Sequence, residues 1–372
     1  MSGGIPGGEG TARRRVRAGT VIAATRASRA FVVVSVLATV TIVALLGSAV
    51  SVTAASLRPD ADRWRTVGAA RATETAPSPS PEAWERFGPT WGRPFTDASA
   101  WNTPIPSSPV LNPKSRAIAA FLGRRPAIAN LEQYGVPVFD ADESTPRYPV
   151  TCTRWLECDL EQGFVPIPED ATPAAGGDGA MVVIDWSTRI AYEFYRAERR
   201  SDGGWTAGWG GVISVDGDGY KGGGPHLPTG AGVSRLAGVV RAFEVAQGEI
   251  DHALVFSTDN ACAHGYRYPA AKTDGLSTRG DCIPEGSRVQ LDPGIDVDGL
   301  PKASPAEKMI AKALQTYGAY AVDNGGARIA FIFEPPYTQP DAYAAAGLTH
   351  DYASLPNIPW QRLRVLDQWD GR

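Results

Sequence analysis

No stretch of the sequence reads G-x-x-x-x-G-K-[ST], H-E-x-x-H or G-x-S-x-G. The first absence removes the phosphate cradle of a P-loop enzyme, and the second removes the paired histidines of a zincin protease. The third removes the nucleophile elbow of an α/β-hydrolase. Histidine is scarce, with four in 372 residues, and so is cysteine, with four. Neither C-x-x-C nor H-x-x-x-H spacing occurs, which disfavours structural zinc. Excess positive charge is also missing. The formal charge is −4, so the chain has no electrostatic footprint for nucleic acid, and the missing phosphate loop leaves no nucleotide site.

What is present is uneven. Residues 1–29 hold six arginines and one acid, Glu9, and carry +5, which leaves −9 on the remainder. From Ala30 to Leu57 there is no charged residue. That run is long enough to cross a bilayer as a helix, and the arginines before it place the N-terminus in the cytoplasm. Residues 1–29 are therefore expected to be a cytoplasmic basic tail and 30–54 a transmembrane anchor, with the rest outside the cell membrane. Val52-Thr53-Ala54 also resembles a cleavage site, which would make the run a signal peptide. Residues 58–90 include RATETAPSPSPEA and predict a disordered linker. The folded, extracytoplasmic domain is expected over 91–372.

Outside the membrane, thiols oxidise. Cys152 with Cys158 and Cys262 with Cys282 each close a local loop, and these are the expected disulfides; zinc is the rival reading of the four cysteines.

High glycine (41) and proline (30), with 43% apolar residues, favour a loop-rich β architecture with a packed core. Short apolar runs alternate with turn signals: GVPVF (Gly135–Phe139), AMVVID (Ala180–Asp185), IAYEFYRA (Ile190–Ala197), WTAGWGGVISV (Trp205–Val215), HALVFST (His252–Thr258), SRVQL (Ser287–Leu291), AYAV (Ala319–Val322) and RIAFIF (Arg328–Phe333). AMVVID and IAYEFYRA predict a hairpin around WSTR, and Asp323-Asn324-Gly325-Gly326 predicts another between the last two runs. Helices are expected over Asn112–Gly123, around Ser234–Gln247, and after the capping box Ser304-Pro305-Ala306-Glu307, with Gly318 as its stop. Replacing Ser304 or Glu307 by alanine is expected to cost about 1 kcal/mol or less. The expected fold is mainly β, a β-sandwich or jelly roll with two or three short helices packed on it.

Several residues could carry chemistry. His252 opens a strand and is a natural acid or base near neutral pH. Asp323 could serve a cleft or simply a turn. Glu193 lies among aromatics in YEFY, on one strand face with Ala191 and Tyr195, which suits a solvated or ligand-facing side. Trp205–Val215 predicts one strand or two; if Trp205 and Trp209, four apart, stand on one regular strand they share a face, as core or as a platform for sugar rings. Asp216 and Asp218 precede Gly219 as in a calcium loop, with Ser214 where a first acid would stand. The twelfth position, where a bidentate acid belongs, is Pro225, so the other reading is an acidic glycine-rich turn. Calcium is the one cofactor suggested.

The blocks WNTPI (Trp101–Ile105), DGAMVVID (Asp178–Asp185), IDHALVF (Ile250–Phe256) and AKALQTYGAYAVDNGG (Ala311–Gly326) resemble a widespread, functionally uncharacterised family of secreted bacterial β-rich proteins, over roughly residues 95–335. The resemblance implies one secreted domain and singles out His252, Asp323 and Asn324. The family's second block tends to carry a histidine where this chain has Ala180, which disfavours any scheme needing one there. Together these readings lead to an expectation: a membrane-anchored protein acting on cell-envelope or environmental polysaccharide as a lyase or glycoside hydrolase. His252 would be acid or base, Asp323 or Glu193 its partner, and Asn324, Trp205 and Trp209 substrate contacts. The alternatives are a non-enzymatic glycan- or wall-binding module and a structural envelope protein.

Overall fold

The computed structural model describes residues 93–367, apart from 156 and 223–225. The expected tail, anchor and linker lie outside these residues. Among the described residues no helix is long and apolar enough to cross a membrane.

The domain is mainly β, with four α-helices of 6 to 12 residues among the described ones. Its centre is a seven-stranded mixed sheet in the order Ala353–Leu355, Ala127–Asn130, Ala330–Ile332, Leu254–Thr258, Ala319–Asn324, Arg288–Leu291, Leu363–Val365. The inner strands are apolar at successive positions because both faces are covered. Leu254, Phe256, Ala319 and Ala321 point to one core, which also takes in Met309, Ile310 and Leu314 of the helix Pro305–Thr316. Val255, Tyr320 and Val322 point to a second core with Val182, Ile184, Ala191 and Ile213. Those four belong to a four-stranded sheet, ordered Val138–Ala141, Met181–Asp185, Ile190–Tyr195, Trp209–Ser214. Its opposite face, through Met181, Val183 and Phe194, shares a third core with Val150, Val165 and Trp205 of another four-stranded sheet. The sheets thus stack, with helices on the outer face of the first. Parallel pairs run through them, including Leu254–Thr258 beside Ala319–Asn324 and Val138–Ala141 beside Met181–Asp185.

Local signals became structure as expected. The hairpin around WSTR pairs Asp185 with Ile190. Ser304 Oγ accepts the Glu307 amide N–H at 3.2 Å, and Glu307 Oε2 accepts the Ser304 amide N–H at 2.9 Å. Ser304→Ala should therefore cost about 1 kcal/mol, readable as a lowered urea midpoint at unchanged slope. Glu307 does more than cap. It also accepts the Asn357 amide at 2.6 Å and Nδ2 at 2.9 Å, so Glu307→Ala should exceed the cap value expected from sequence. Gly318 ends the helix at φ +70°, where a Cβ would meet the Val289 carbonyl at 2.3 Å.

Both expected disulfides are present, Cys152–Cys158 and Cys262–Cys282. The second spans 20 residues. The chain-entropy model gives about 3 kcal/mol for such a loop, so Cys262→Ser/Cys282→Ser should lose that much in denaturant unfolding.

Other expectations are corrected. Asp323-Asn324-Gly325-Gly326 joins no hairpin, because Leu254–Thr258 inserts between the two strands, parallel to one and antiparallel to the other. Of the one or two strands expected over Trp205–Val215 there are two, so Trp205 and Trp209 stand in different sheets and share no face. Of Ser234–Gln247 only Ala242–Gln247 is helical; Glu193 holds the amides of Arg235 and Leu236 in a loop instead. The GVPVF strand begins at Val138. Asn112 precedes the helix Ser115–Leu122 and accepts the Lys114 amide N–H at 2.8 Å rather than capping it.

Candidate active site

The parallel strands Leu254–Thr258 and Ala319–Asn324 end side by side. Phe256 pairs with Ala321, but Ser257 pairs with Asp323, so Val322 is an extra residue in the ladder. Strict alternation would send Asp323 to the helix-covered face with Ala319 and Ala321. The bulge turns it instead to the face of Val255, Ser257 and Val322, which is a typical use of a bulge beside a site. On that face the seven-stranded sheet parts from the sheet that carries Ile190–Tyr195 and Trp209–Ser214, and a cleft of about 1510 Å³ opens. That exceeds the roughly 300–1,000 Å³ of small-molecule pockets.

The floor of the cleft is acidic. A methyl group on Gly230 would lie 2.5 Å from Asp274 Oδ1 and 2.7 Å from Asp323 Oδ1, so both carboxyl groups crowd one point and only glycine fits beside them. Asp274 Oδ1 accepts the Asn324 amide N–H at 3.1 Å, and Asp323 Oδ2 accepts that of Gly230 at 3.3 Å. Burial and the negative charge of Asp274 push the Asp323 carboxyl up to about 7, against the pull of Arg235. Behind Asp274, buried Glu285 accepts its amide N–H at 3.1 Å. Burial also drives the Glu285 carboxyl up, to about 8, with Thr273 opposing and Asp274 adding to the shift. Two like charges this close cannot both ionise cheaply, so the group stores a proton near neutral pH. Lys272 Nζ donates to the carbonyls of Thr229 and Gly230 at 2.8 and 2.6 Å, and burial lowers its pKa.

Aromatic rings line the cleft above this floor. Trp155 is 57% exposed, stacks on Tyr195 at 6.0 Å and meets Trp209 edge-on at 6.5 Å. It sits in the loop that Cys152–Cys158 closes. Tyr134 and Tyr352 form a second pair, 6.5 Å apart, also in the lining.

Of the residues singled out from sequence, Asp323, Asn324 and Trp209 line the cleft. His252 does not. It is buried, with Nε2 3.1 Å from Glu244 and Nδ1 2.9 Å from the Ala253 carbonyl. Burial disfavours its charge, yet the Glu244 carboxylate and the Ala253 carbonyl together outweigh that and raise its pKa. Glu193 shares its strand face with Ala191, as expected, but that face is closed between two sheets and the residue is fully buried. Its carboxyl accepts Ser234 Oγ–H and the amides of Arg235 (2.8 Å) and Leu236 (3.3 Å), and burial raises its pKa. It supports the site from below rather than facing it. Trp205 is core, 1% exposed, away from the cleft.

Asp216 and Asp218 form a turn. Both oxygens of Asp216 face the Arg189 guanidinium, at 2.6 to 3.2 Å, and Asp218 accepts the Tyr220 amide N–H at 3.0 Å. That donor set does not fit a calcium cage, and no cluster of three or more His, Cys, Asp or Glu suited to a metal occurs among the described residues.

Sequence reasoning missed Asp274, Lys272, Arg235 and Trp155. Asp274 and Lys272 lie in the loop AKTDG, where acid and amine beside glycine read as an ordinary turn. Trp155 had one signal, its place between the two cysteines of a short loop. No protein-family model, curated protein or solved structure matches this chain.

Proposed function

We propose that the protein cleaves a polysaccharide outside the cell membrane, tethered through residues 30–54, as a glycoside hydrolase in which Asp323 is the proton donor and Asp274 its partner. The observation that carries this reading is the carboxyl pair at one point of a long, aromatic-lined cleft, with one member protonated near neutral pH. Glycosidases need two such carboxyl groups in different protonation states. Asp323 would give its proton to the glycosidic oxygen as the C–O bond breaks. Asp274 would take the anomeric carbon as a covalent ester, and water activated by Asp323 would release the sugar. With both oxygens under 3 Å from one point, the pair is closer than the roughly 6.5–9.5 Å of inverting enzymes, which supports retention. Trp155 and Tyr195 supply stacking faces for sugar rings.

The test is to incubate the purified protein with envelope and plant polysaccharides and to follow new reducing ends and ultraviolet absorbance of unsaturated products. New reducing ends without unsaturation, lost in Asp274→Asn, are expected. Unsaturated products would favour a lyase with Lys272 as base, a second reading that its lowered pKa supports. Binding without cleavage would favour a glycan-binding module.

A further inference from the structure

Arg235 has an odd environment. Its residue is 8% exposed and lines the cleft. Its main chain is anchored through the Glu193 carboxyl. Among the described residues, the one hydrogen bond of its side chain runs from Nη2 to the Pro228 carbonyl. Nε is buried without a partner. Arg241, also buried, has Glu334 Oε2 at 2.8 Å; the carboxyl groups of Glu193 and Asp323 lie within electrostatic reach of Arg235, but neither accepts a hydrogen bond from its guanidinium. A buried guanidinium whose hydrogen bonds are left incomplete is costly to keep, and such an unfilled donor calls for a partner.

We infer that the Arg235 guanidinium is a preorganised seat for a carboxylate on the substrate, so that the cleft takes a uronate-bearing glycan. Nη1 makes no hydrogen bond among the described residues, and the planar Nη1/Nη2 edge matches a carboxylate held by two parallel N–H···O bonds. Lys272, in the same lining, adds a second positive charge. Asp323 does not cancel the pair, since its own proton leaves only near neutral pH.

The inference rests on the glycan reading, but its test needs no turnover. Titration calorimetry at pH 6, on the full chain carrying Asp323→Asn, compares oligomers of galacturonate, glucuronate and mannuronate with their methyl esters, which keep the rings and lose the charge. At least one acid should bind tenfold or more tightly than its ester. Arg235→Gln should erase that preference, and Arg235→Lys should keep part of it, with circular dichroism unchanged. Equal binding of acids and esters, no binding by any acid, or a preference that survives Arg235→Gln overturns the seat. A preference for sulfated over uronate oligomers would overturn the carboxylate assignment. Cleavage of neutral glycans alone would sink the seat and leave the hydrolase standing. Acid binding without any cleavage by the wild type would do the reverse.

Discussion

Asp323→Asn should lower turnover by about 10²–10⁴-fold, the usual contribution of a positioned acid, while the domain stays folded and becomes more stable than the wild type at pH 8. The sign follows from proton linkage. The Asp323 carboxyl is raised from 3.8 to about 7 and Glu285 from 4.5 to about 8. Between about pH 4 and 8 the folded state therefore holds protons that the unfolded chain has released, so stability must fall as pH rises through that window. Histidine 252, raised by Glu244 despite its burial, contributes in the same direction, present at low pH and lost as pH climbs. Asparagine removes the Asp323 part, and its side-chain oxygen can still accept the Gly230 amide. Melting curves from pH 5 to 8.5 should show a shallower decline for the variant. A variant that tracks the wild type at every pH would mean that Asp323 is ionised throughout and is no acid. Wild-type turnover should likewise fade above about pH 7.

Glu193→Ala should be the most damaging single truncation. It strands the Ser234 hydroxyl and the Arg235 amide, both buried, while the Leu236 amide keeps Ser234 Oγ at 3.2 Å. At about 1–3 kcal/mol for each orphaned group, the loss reaches a large share of the 5–15 kcal/mol typical of a domain. Glu193→Gln keeps one acceptor oxygen and should fall between. Urea titration separates the three proteins. An alanine variant as stable as the wild type would show that the loop carries its own hydrogen bonds. A stable but inactive one would move Glu193 into the site.

The parts of this fold that were legible in sequence are those closed by near neighbours. The capping box spans four residues, the WSTR hairpin has its turn inside it, and each disulfide closes its own loop. Pairings that depend on a distant strand were not legible. Asp323-Asn324-Gly325-Gly326 has good hairpin chemistry, yet the partner arrives from Leu254–Thr258. The bulge at Val322 leaves no mark in composition, so the face of Asp323 could not be read. For His252 the expected strand starts two residues later, at Leu254, and nothing near it announced Glu244 as a partner across a turn of chain. Asp274 and Arg235 carried no motif; only the fold brings them to Asp323.

The ladder that sets Ile128 beside Ala330 bears on how the chain acquires its fold. Two strands that must lie in register are separated by most of the domain, and parallel pairing offers no turn to nucleate it. Such high contact order makes for slow folding. A chain emerging N-terminus first makes Ala127–Asn130 early, and both of its neighbours, Ala330–Ile332 and Ala353–Leu355, come last. Until then that strand presents two bare, apolar edges, a template for pairing between chains. Asp274 is likewise laid down well before the strand that carries Asp323. A truncated product lacking the final 45 residues would lose both neighbours of that strand, and aggregation is its expected fate.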